Sequence, residues 1–227
     1  MNTNVTSRKP LSDADDLYEF SPDLVTLIDG RHQEAEAIRT MRTHIRAQHL
    51  ECGRRGLAFC APNPQSGCTY SAANLAVSLS QIGVNTLLID ADMRSPGVDE
   101  FIRPKANGPG LRELLGGADD LEDVTHKGVL PNLSVIFAGG VSADAQELLG
   151  GESFKSLIVR CLRDYECTIV DTPAANLCAD ARRISSVIGY SAVVARRDVS
   201  FIGEVSALVR QIEADGARVV GAILNEP

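Results

Sequence analysis

The amino-acid sequence predicts an α/β fold in three layers, in which helices cover both faces of a mostly parallel sheet. Three observations support this prediction. From Gly56 onward, short strand-like runs alternate with longer runs that have helical spacing. The strand-like runs are apolar almost throughout, which is typical of strands buried on both faces. The chain has 227 residues, enough for one domain with a buried core and no stabilising disulfide or metal.

The composition excludes several classes of protein. Apolar residues make up 44% of the chain and charged residues 23%, which rules out general disorder, a collagen-like chain and a disulfide scaffold. The net charge is −8, with no Trp and four Tyr, so we expect no nucleic-acid partner. The sequence has no apolar run that would span a bilayer and no apolar signal core, which predicts a cytoplasmic protein without a direct membrane span.

The chain divides into three predicted regions. Residues 1–20 are polar and aperiodic and are expected to form a flexible tail. Residues 21–55 carry a helix predicted over 33–50, and residues 56–227 form the α/β domain. Within that domain, strands are predicted at 57–60, 86–89, 133–137, 167–170, 191–195 and 219–224. Helices are predicted at 68–82, 111–115, 145–149, 153–164, 180–187 and 201–215.

The loop after the first of these strands has the composition of an anion-binding site. A strand, a tight loop and a helix N-terminus bring backbone N–H groups together, and the helix dipole adds partial positive charge. Thr69 would lie on the first helical turn, where its hydroxyl can reach Mg²⁺. The lysine of the G-x-x-x-x-G-K-[ST] pattern is replaced by cysteine, which leaves an ordinary strand–helix turn as the alternative. The predicted phosphate-binding residues are Pro64, Gln65, Ser66, Gly67, Cys68 and Thr69.

Acidic residues follow two further strands. Asp90 and Asp92 end the second strand, where such a pair can hold Mg²⁺ or accept a proton. Asp171 ends another apolar strand and resembles the second carboxylate motif of nucleotide sites. Taken alone, the pair Asp90 and Asp92 has a solvated acidic turn as its alternative, and Asp171 has a residue that caps the next turn. Because ligands bind at the carboxyl ends of parallel strands, the three loops together predict a P-loop-type nucleotide site.

These segments resemble the cytoplasmic domain of the bacterial tyrosine autokinases, which act with polysaccharide co-polymerases in capsule and exopolysaccharide export. The resemblance runs from about Glu34 to Asn225, and the run LLIDADMRSP at 87–96 is its most specific part. Further similar segments are EAIRTMRT at 36–43, GLRELLG at 110–116, AGG at 138–140 with QELL at 146–149, YECTIVDTP at 165–173 and VVGAILN at 219–225.

The resemblance implies a three-layer P-loop NTPase-like fold, ATP or ADP with Mg²⁺ as ligands, and a kinase-type role for the acidic residues. Thr69, Asp90 and Asp171 would hold the metal, and either Asp90 or Asp92 would accept the proton of an attacking tyrosine. Arg94 and Asn225 join the nucleotide-binding residues.

The resemblance also implies partners. Glu36, Arg39 and Arg42 would form contacts between subunits of a homo-oligomer, although a solvated basic helix face is the alternative for the arginines. The chain would lie at the inner membrane through a polysaccharide co-polymerase and would regulate chain length or assembly.

The sequence departs from the family pattern at two points. Cys68 stands where family members have lysine, and the chain ends without their tyrosine cluster. Because Cys68 replaces the lysine, impaired catalysis is expected, with a non-catalytic pseudokinase scaffold as the main alternative and a partitioning-type ATPase as a third function. Cys68 itself is expected to fill the loop as a small residue, with a low-pKa redox sensor as the alternative.

Overall fold

A seven-stranded sheet forms the centre of the computed structural model, which describes residues 17–226. The strands of the described chain are Tyr18–Phe20 (β1), Gly56–Cys60 (β2), Thr86–Asp90 (β3), Ile102–Pro104 (β4), His126–Leu130 (β5), Leu133–Ile136 (β6), Cys167–Asp171 (β7), Tyr190–Arg196 (β8) and Arg218–Asn225 (β9). The α-helices are His32–Gln48 (α1), Cys68–Ser80 (α2), Val98–Phe101 (α3), Leu111–Leu115 (α4), Leu121–Val124 (α5), Ala145–Gly150 (α6), Glu152–Asp164 (α7), Asp180–Ile188 (α8) and Ile202–Ala214 (α9). Over residues 17–226, no helix combines the length and apolar character needed to cross a membrane.

The order of the strands places the P-loop strand β2 near the middle of the sheet. The order is β5-β6-β3-β7-β2-β8-β9, and each neighbouring pair is parallel except β5 and β6. The carboxyl ends of β2, β3 and β7 therefore meet at one edge of the sheet. In the register of β3 and β7, Asp90 lies opposite Asp171, so two of the predicted site residues are brought together by strand pairing alone.

Successive strand residues face opposite layers of helices, as the pleat of a sheet requires. Leu57 and Phe59 pack in a core with α2, whereas Ala58 and Cys60 pack in a second core with α7 and α8. All five residues of β2, β3 and β7 are buried. The fold class predicted from the sequence is confirmed.

The predicted elements match the structure closely. Each of the six predicted strands ends within one residue of the observed strand, and each predicted helix within two. Short elements with little periodicity, notably β1, β4, β5 and α3, have no counterpart among the predictions. The antiparallel strand β5 extends the sheet at the edge farthest from β9.

The prediction of a flexible tail over residues 1–20 is wrong for its last three residues. Residues 1–16 lie outside the described part of the chain. Tyr18–Phe20 form β1, which pairs antiparallel with β4. The pattern buried–exposed–buried places Tyr18 and Phe20 in the core beside α2, and the Tyr18 hydroxyl is 2.9 Å from Nδ1 of His126. Three residues are too few for sequence periodicity to identify a strand.

A substitution in β1 tests whether this strand contributes to stability. We expect Phe20→Ala to lower the free energy of unfolding by about 3 kcal/mol, because it removes a side chain that is only 8% exposed. Leu17→Ala, at a side chain 62% exposed, is the control and should change little. Denaturant unfolding of both variants measures the difference, and equal stabilities would contradict a docked strand.

Candidate nucleotide-binding site

The loop between β2 and α2 has a left-handed backbone at two residues, a conformation that most side chains disfavour. Gly67 has φ +83° and ends the loop, and Gln65 has φ +59°, in the left-handed region. A Cβ at Gly67 would collide with the side-chain amide of Asn225. That amide donates to the carbonyl oxygen of Ser66 at 3.2 Å, and the Ser66 hydroxyl donates to the carbonyl of Asn63 at 2.7 Å. The loop is thus held from both sides in a tight turn.

This turn leaves a set of backbone donors without partners. Within residues 17–226, the amide N–H groups of residues 66–69 donate no hydrogen bond to the protein. They lie at the N-terminus of the 13-residue helix α2, where the helix dipole adds partial positive charge. Unpartnered amides and a helix N-terminus together form a cradle for an anion such as phosphate.

The cradle opens into a hollow of about 500 Å³, a size that fits a small-molecule ligand. It is bounded by the phosphate loop, the segments that follow β3 and β7, and one residue of β8. The lining residues are Ala61, 63–70, Asp92, 95–97, Glu100, Phe101, Thr172, Ala174, Leu177 and Arg196. The three loops predicted from the sequence therefore meet at one site.

The start of α2 is tied to the end of β7 by one short hydrogen bond. The Thr69 hydroxyl donates to Oδ2 of Asp171 at 2.6 Å. The other oxygen, Oδ1, is buried and has no hydrogen-bond partner in the described chain. A buried, unpartnered carboxylate oxygen carries a desolvation cost that a cation would relieve.

Asp90 and Asp92, which the sequence left equivalent, have different surroundings. Asp90 is 1% exposed, and its two oxygens accept three backbone N–H groups, from Asp92, Gly97 and Val98, each at 3.0 Å. Asp92 lines the hollow, and its Oδ1 accepts the N–H groups of Arg94 and Ser95. Its Oδ2 accepts no hydrogen bond among residues 17–226. Asp90 thus holds the loop, and Asp92 offers a carboxylate oxygen to the hollow.

The three carboxyl groups have raised pKa values because they are buried near one another. Burial raises the pKa of Asp90 to about 7, against the opposing effect of its backbone hydrogen bonds. Burial, and then the charge of Asp90, raises the pKa of Asp171 to about 8. Burial also raises the pKa of Asp92. Clustered negative charge of this kind is typical of sites that bind a cation.

The Cys68 thiol turns toward the carboxylate of Asp171. Burial raises its pKa well above the usual value, and the Asp171 charge adds to the shift. The thiol is therefore protonated at neutral pH, which is the opposite of the lowered pKa that a redox sensor requires. It brings no positive charge to the cradle.

The remaining predicted nucleotide-binding residues are placed differently from one another. Asn225 lies against the phosphate loop, as described above. Arg94 turns away from the hollow, since its Nε donates to the buried Asp180 at 2.8 Å. Sequence reasoning missed Arg196, whose Nη1 donates to the carbonyl of Gln65 at 3.0 Å. The rule that chemistry follows each strand would have found it, because Arg196 ends β8.

The residues predicted to form an oligomer interface lie on α1. Glu36 and Arg39 are exposed and pair with each other at 3.3 Å. Arg42 is half-buried and donates to both the carbonyl and the hydroxyl of Ser78 on α2 at 3.2 Å. Arg42 therefore fixes α1 to α2 within the chain, whereas Glu36 and Arg39 remain accessible at its surface.

The residues present fit Mg²⁺ bound together with phosphate. In the described range there is no group of three His, Cys, Asp or Glu side chains that would enclose a metal. Mg²⁺ needs no such cage, because it keeps several waters and binds through one or two carboxylates and substrate phosphates. The Thr69 hydroxyl and the unpartnered Oδ1 of Asp171 are oxygen donors of that kind.

Comparison with known proteins finds tyrosine kinases. The tyrosine-protein kinase Ptk of Acinetobacter johnsonii is 32% identical over 191 residues, which is 84% of this chain and 26% of that protein. The solved kinase domain of the Escherichia coli tyrosine kinase Etk is 32% identical with a TM-score of 0.78, over 85% of this chain and 75% of that one. No protein-family model matches the chain. The chain spans about a quarter of the length of the curated relative.

More distant structures share the fold. The cell-division ATPase MinD of Pyrococcus furiosus has a TM-score of 0.67 at 20% identity, over 75% of this chain and 71% of that one. At this identity the likeness shows the architecture alone.

The raised pKa of Asp171 predicts a stability effect in the protein free of nucleotide and Mg²⁺. Its folded pKa of about 8 exceeds the usual value of about 4. The stability linked to its proton is therefore complete below about pH 4 and is lost as the pH rises through about 8. We expect Asp171→Asn to stabilise the protein at pH 8 by about 1–3 kcal/mol, a rise of about 2–10 °C in melting temperature.

The control measurements separate charge from shape. At pH 5 the wild-type carboxyl already carries its proton, so Asp171→Asn should have little effect there. Asp198→Asn, at a side chain 93% exposed, should change the melting temperature at neither pH. A melting temperature of Asp171→Asn below that of wild type at pH 8 would contradict the buried charge.

Proposed function

The chain belongs to the family of bacterial tyrosine-protein kinases, and from that premise we propose that it binds ATP with Mg²⁺ in the hollow above the phosphate loop. It acts as a cytoplasmic component of an exopolysaccharide or capsule synthesis and export system. There it binds an inner-membrane polysaccharide co-polymerase and regulates chain length or assembly. The observation that carries nucleotide binding is the row of unpartnered amides at residues 66–69, beside an Asp171 that accepts the Thr69 hydroxyl and has an unpartnered Oδ1.

Each loop has a separate part in binding. The amides of residues 66–69 bind phosphate oxygens at the positive end of α2. Thr69 and Asp171 hold the Mg²⁺, which when bound neutralises phosphate charge and orients the phosphates. Asp90 keeps the loop after β3 in place through its three backbone hydrogen bonds. The side-chain amide of Asn225 holds the phosphate loop through its hydrogen bond to the Ser66 carbonyl.

Asp92 is the group best placed to take a proton from an acceptor hydroxyl. Asp92 lines the hollow, and its Oδ2 accepts no hydrogen bond in the described chain, whereas Oδ1 accepts two. Burial raises the pKa of Asp92 above its usual value, and a shift in that direction suits a general base. In an active form, Oδ2 would accept the proton of a tyrosine as the hydroxyl attacks the terminal phosphate.

The neutral thiol at Cys68 favours a second candidate, a scaffold that binds nucleotide without phosphoryl transfer. A P-loop lysine places a positive charge on the β- and γ-phosphates, and one such electrostatic group is worth about 3–4 kcal/mol in the transition state. A protonated thiol gives no such stabilisation. Nucleotide binding is therefore preserved better than turnover.

Assembly into a homo-oligomer is proposed through the exposed part of α1. Glu36 and Arg39 are available there, and their mutual ion pair is at the surface, where such pairs contribute little to stability. Exchanging it for a pair with a neighbouring copy would therefore cost little. Arg42 contributes by holding α1 against α2.

Binding of Mg-ATP to purified protein tests the first part of the proposal. We expect Thr69→Ala to weaken Mg-ATP binding about tenfold or more, because a hydroxyl ligand of the cation is lost. Without Mg²⁺, the affinities of wild type and Thr69→Ala for ATP should differ less. The control is Thr43→Ala on α1, whose hydroxyl donates to the carbonyl of Arg39. Calorimetric titration measures binding by wild type and by both variants. Wild type that binds no Mg-ATP would refute the proposal.

Phosphoryl transfer tests the second part. With labelled Mg-ATP, we expect little turnover by wild type and a rise of about 10²–10³-fold in Cys68→Lys, since the missing charge is restored. Adding Asp92→Asn to Cys68→Lys should abolish that gain. Cys52→Lys, at an exposed cysteine away from the site, is the control for added charge. Fast turnover by wild type that is lost in Asp92→Asn would show that catalysis does not need the lysine.

A further inference from the structure

Arg196 lies between two hollows at the carboxyl edge of the sheet. It borders the hollow above the phosphate loop and a second, larger hollow of about 780 Å³. The second hollow lies between the phosphate loop, the N-terminal part of α1 and the end of β9. The residues that line both hollows are Gln65, Gly67, Tyr70 and Arg196. A ligand whose phosphates occupy the cradle would thus pass beside the Arg196 side chain.

The hydrogen bond from Arg196 to the phosphate loop fixes where its charge lies. Nη1 donates to the carbonyl of Gln65 at 3.0 Å. Gln65 is the non-glycine residue of the loop with a left-handed backbone, so the bond joins the guanidinium to the most constrained part of the turn. A guanidinium has five N–H donors, and in the described chain this is the one hydrogen bond that the Arg196 side chain donates. Several donors remain for a ligand.

The other cations near the cradle have acidic partners. Arg94 is paired with the buried Asp180 at 2.8 Å. Arg31, which lines the second hollow, is paired with Asp23 and Glu34. Arg196 forms no ion pair with any residue from 17 to 226, and its hydrogen-bond acceptor is neutral. Its charge is therefore not compensated by a carboxylate, which is the condition under which an arginine binds an added anion.

We propose that Arg196 supplies the phosphate-binding positive charge that the lysine of a standard P-loop would supply at position 68. The inference rests on the proposed binding of ATP and identifies the residue that makes such binding possible with a neutral thiol in the loop. Arginine suits this task because its planar donors match phosphate oxygens two at a time. Since the side chain reaches the loop from β8, its charge does not depend on the identity of residue 68.

Nucleotide binding by four proteins tests the inference: wild type, Arg196→Ala, Cys68→Lys and the double variant. We expect Arg196→Ala to weaken Mg-ATP binding about 10- to 100-fold, as for the loss of a charged hydrogen bond. In the Cys68→Lys background the same substitution should cost much less, because the lysine now carries the charge. Such non-additivity is the signature of two groups that perform one task.

Displacement of a fluorescent ATP analogue distinguishes a phosphate contact from a contact to the base. Relative to wild type, Arg196→Ala should bind inorganic tripolyphosphate more weakly by the same factor as Mg-ATP. Its affinity for adenosine should be unchanged. Arg197→Ala is the matched control, since the Arg197 side chain is 62% exposed and pairs with Glu226. Arg196→Lys separates loss of charge from collapse of the loop. It should retain part of the affinity, because lysine keeps the charge but lacks the planar pair of donors.

The outcomes separate this inference from the proposed function. If wild type binds no Mg-ATP, the proposed function fails and the inference falls with it. If wild type binds but Arg196→Ala binds equally well, or if adenosine loses as much affinity as tripolyphosphate, the inference alone is overturned. Equal losses in Arg196→Ala and Arg196→Lys would also overturn it, because the role would then be one of shape.

Discussion

Two buried carboxyl groups on neighbouring strands, Asp90 and Asp171, set the constraint on which the site depends. The register of β3 and β7 places them side by side at the carboxyl edge of the sheet, and burial raises the pKa of both. The chain compensates Asp90 with three backbone N–H groups but leaves one oxygen of Asp171 unpartnered. Burying two carboxyl groups side by side costs stability, and a cation bound at Asp171 would remove part of that cost. Functional sites commonly keep such local instability.

The phosphate loop depends on its backbone more than on its side chains. The amides of residues 66–69 are free because Gly67 takes a left-handed conformation that a Cβ would obstruct, and because Asn225 and Ser66 hold the turn. None of these contacts involves the side chain of residue 68. Replacing a lysine there by cysteine thus removes charge but leaves the backbone conformation of the loop intact.

Much of the fold follows from local sequence pattern. Apolar runs flanked by polar loops predict the buried strands β2, β3 and β7, because strands covered on both faces are apolar at nearly every position. The positions of Asp90 and Asp171 follow as well, since both end such strands. The prediction failed at β1, where Tyr18–Phe20 offer only three residues of alternation. These residues form a strand because they pair with β4, some 80 residues later. A local sequence pattern cannot predict a pairing over that distance.

The site is less predictable where long side chains are concerned. Arg94 comes shortly after β3 and Arg196 ends β8, so both lie near the carboxyl edge of the same sheet. Arg94 turns away because Asp180, on a helix 86 residues later, is buried and accepts its Nε. Arg196 forms no ion pair within residues 17–226, and its Nη1 donates to the carbonyl of Gln65. A buried carboxylate without a partner carries a large desolvation cost, so a flexible arginine within reach pairs with it. Strand ends thus tell which residues are near the site, and the distribution of buried acids decides which of them face it.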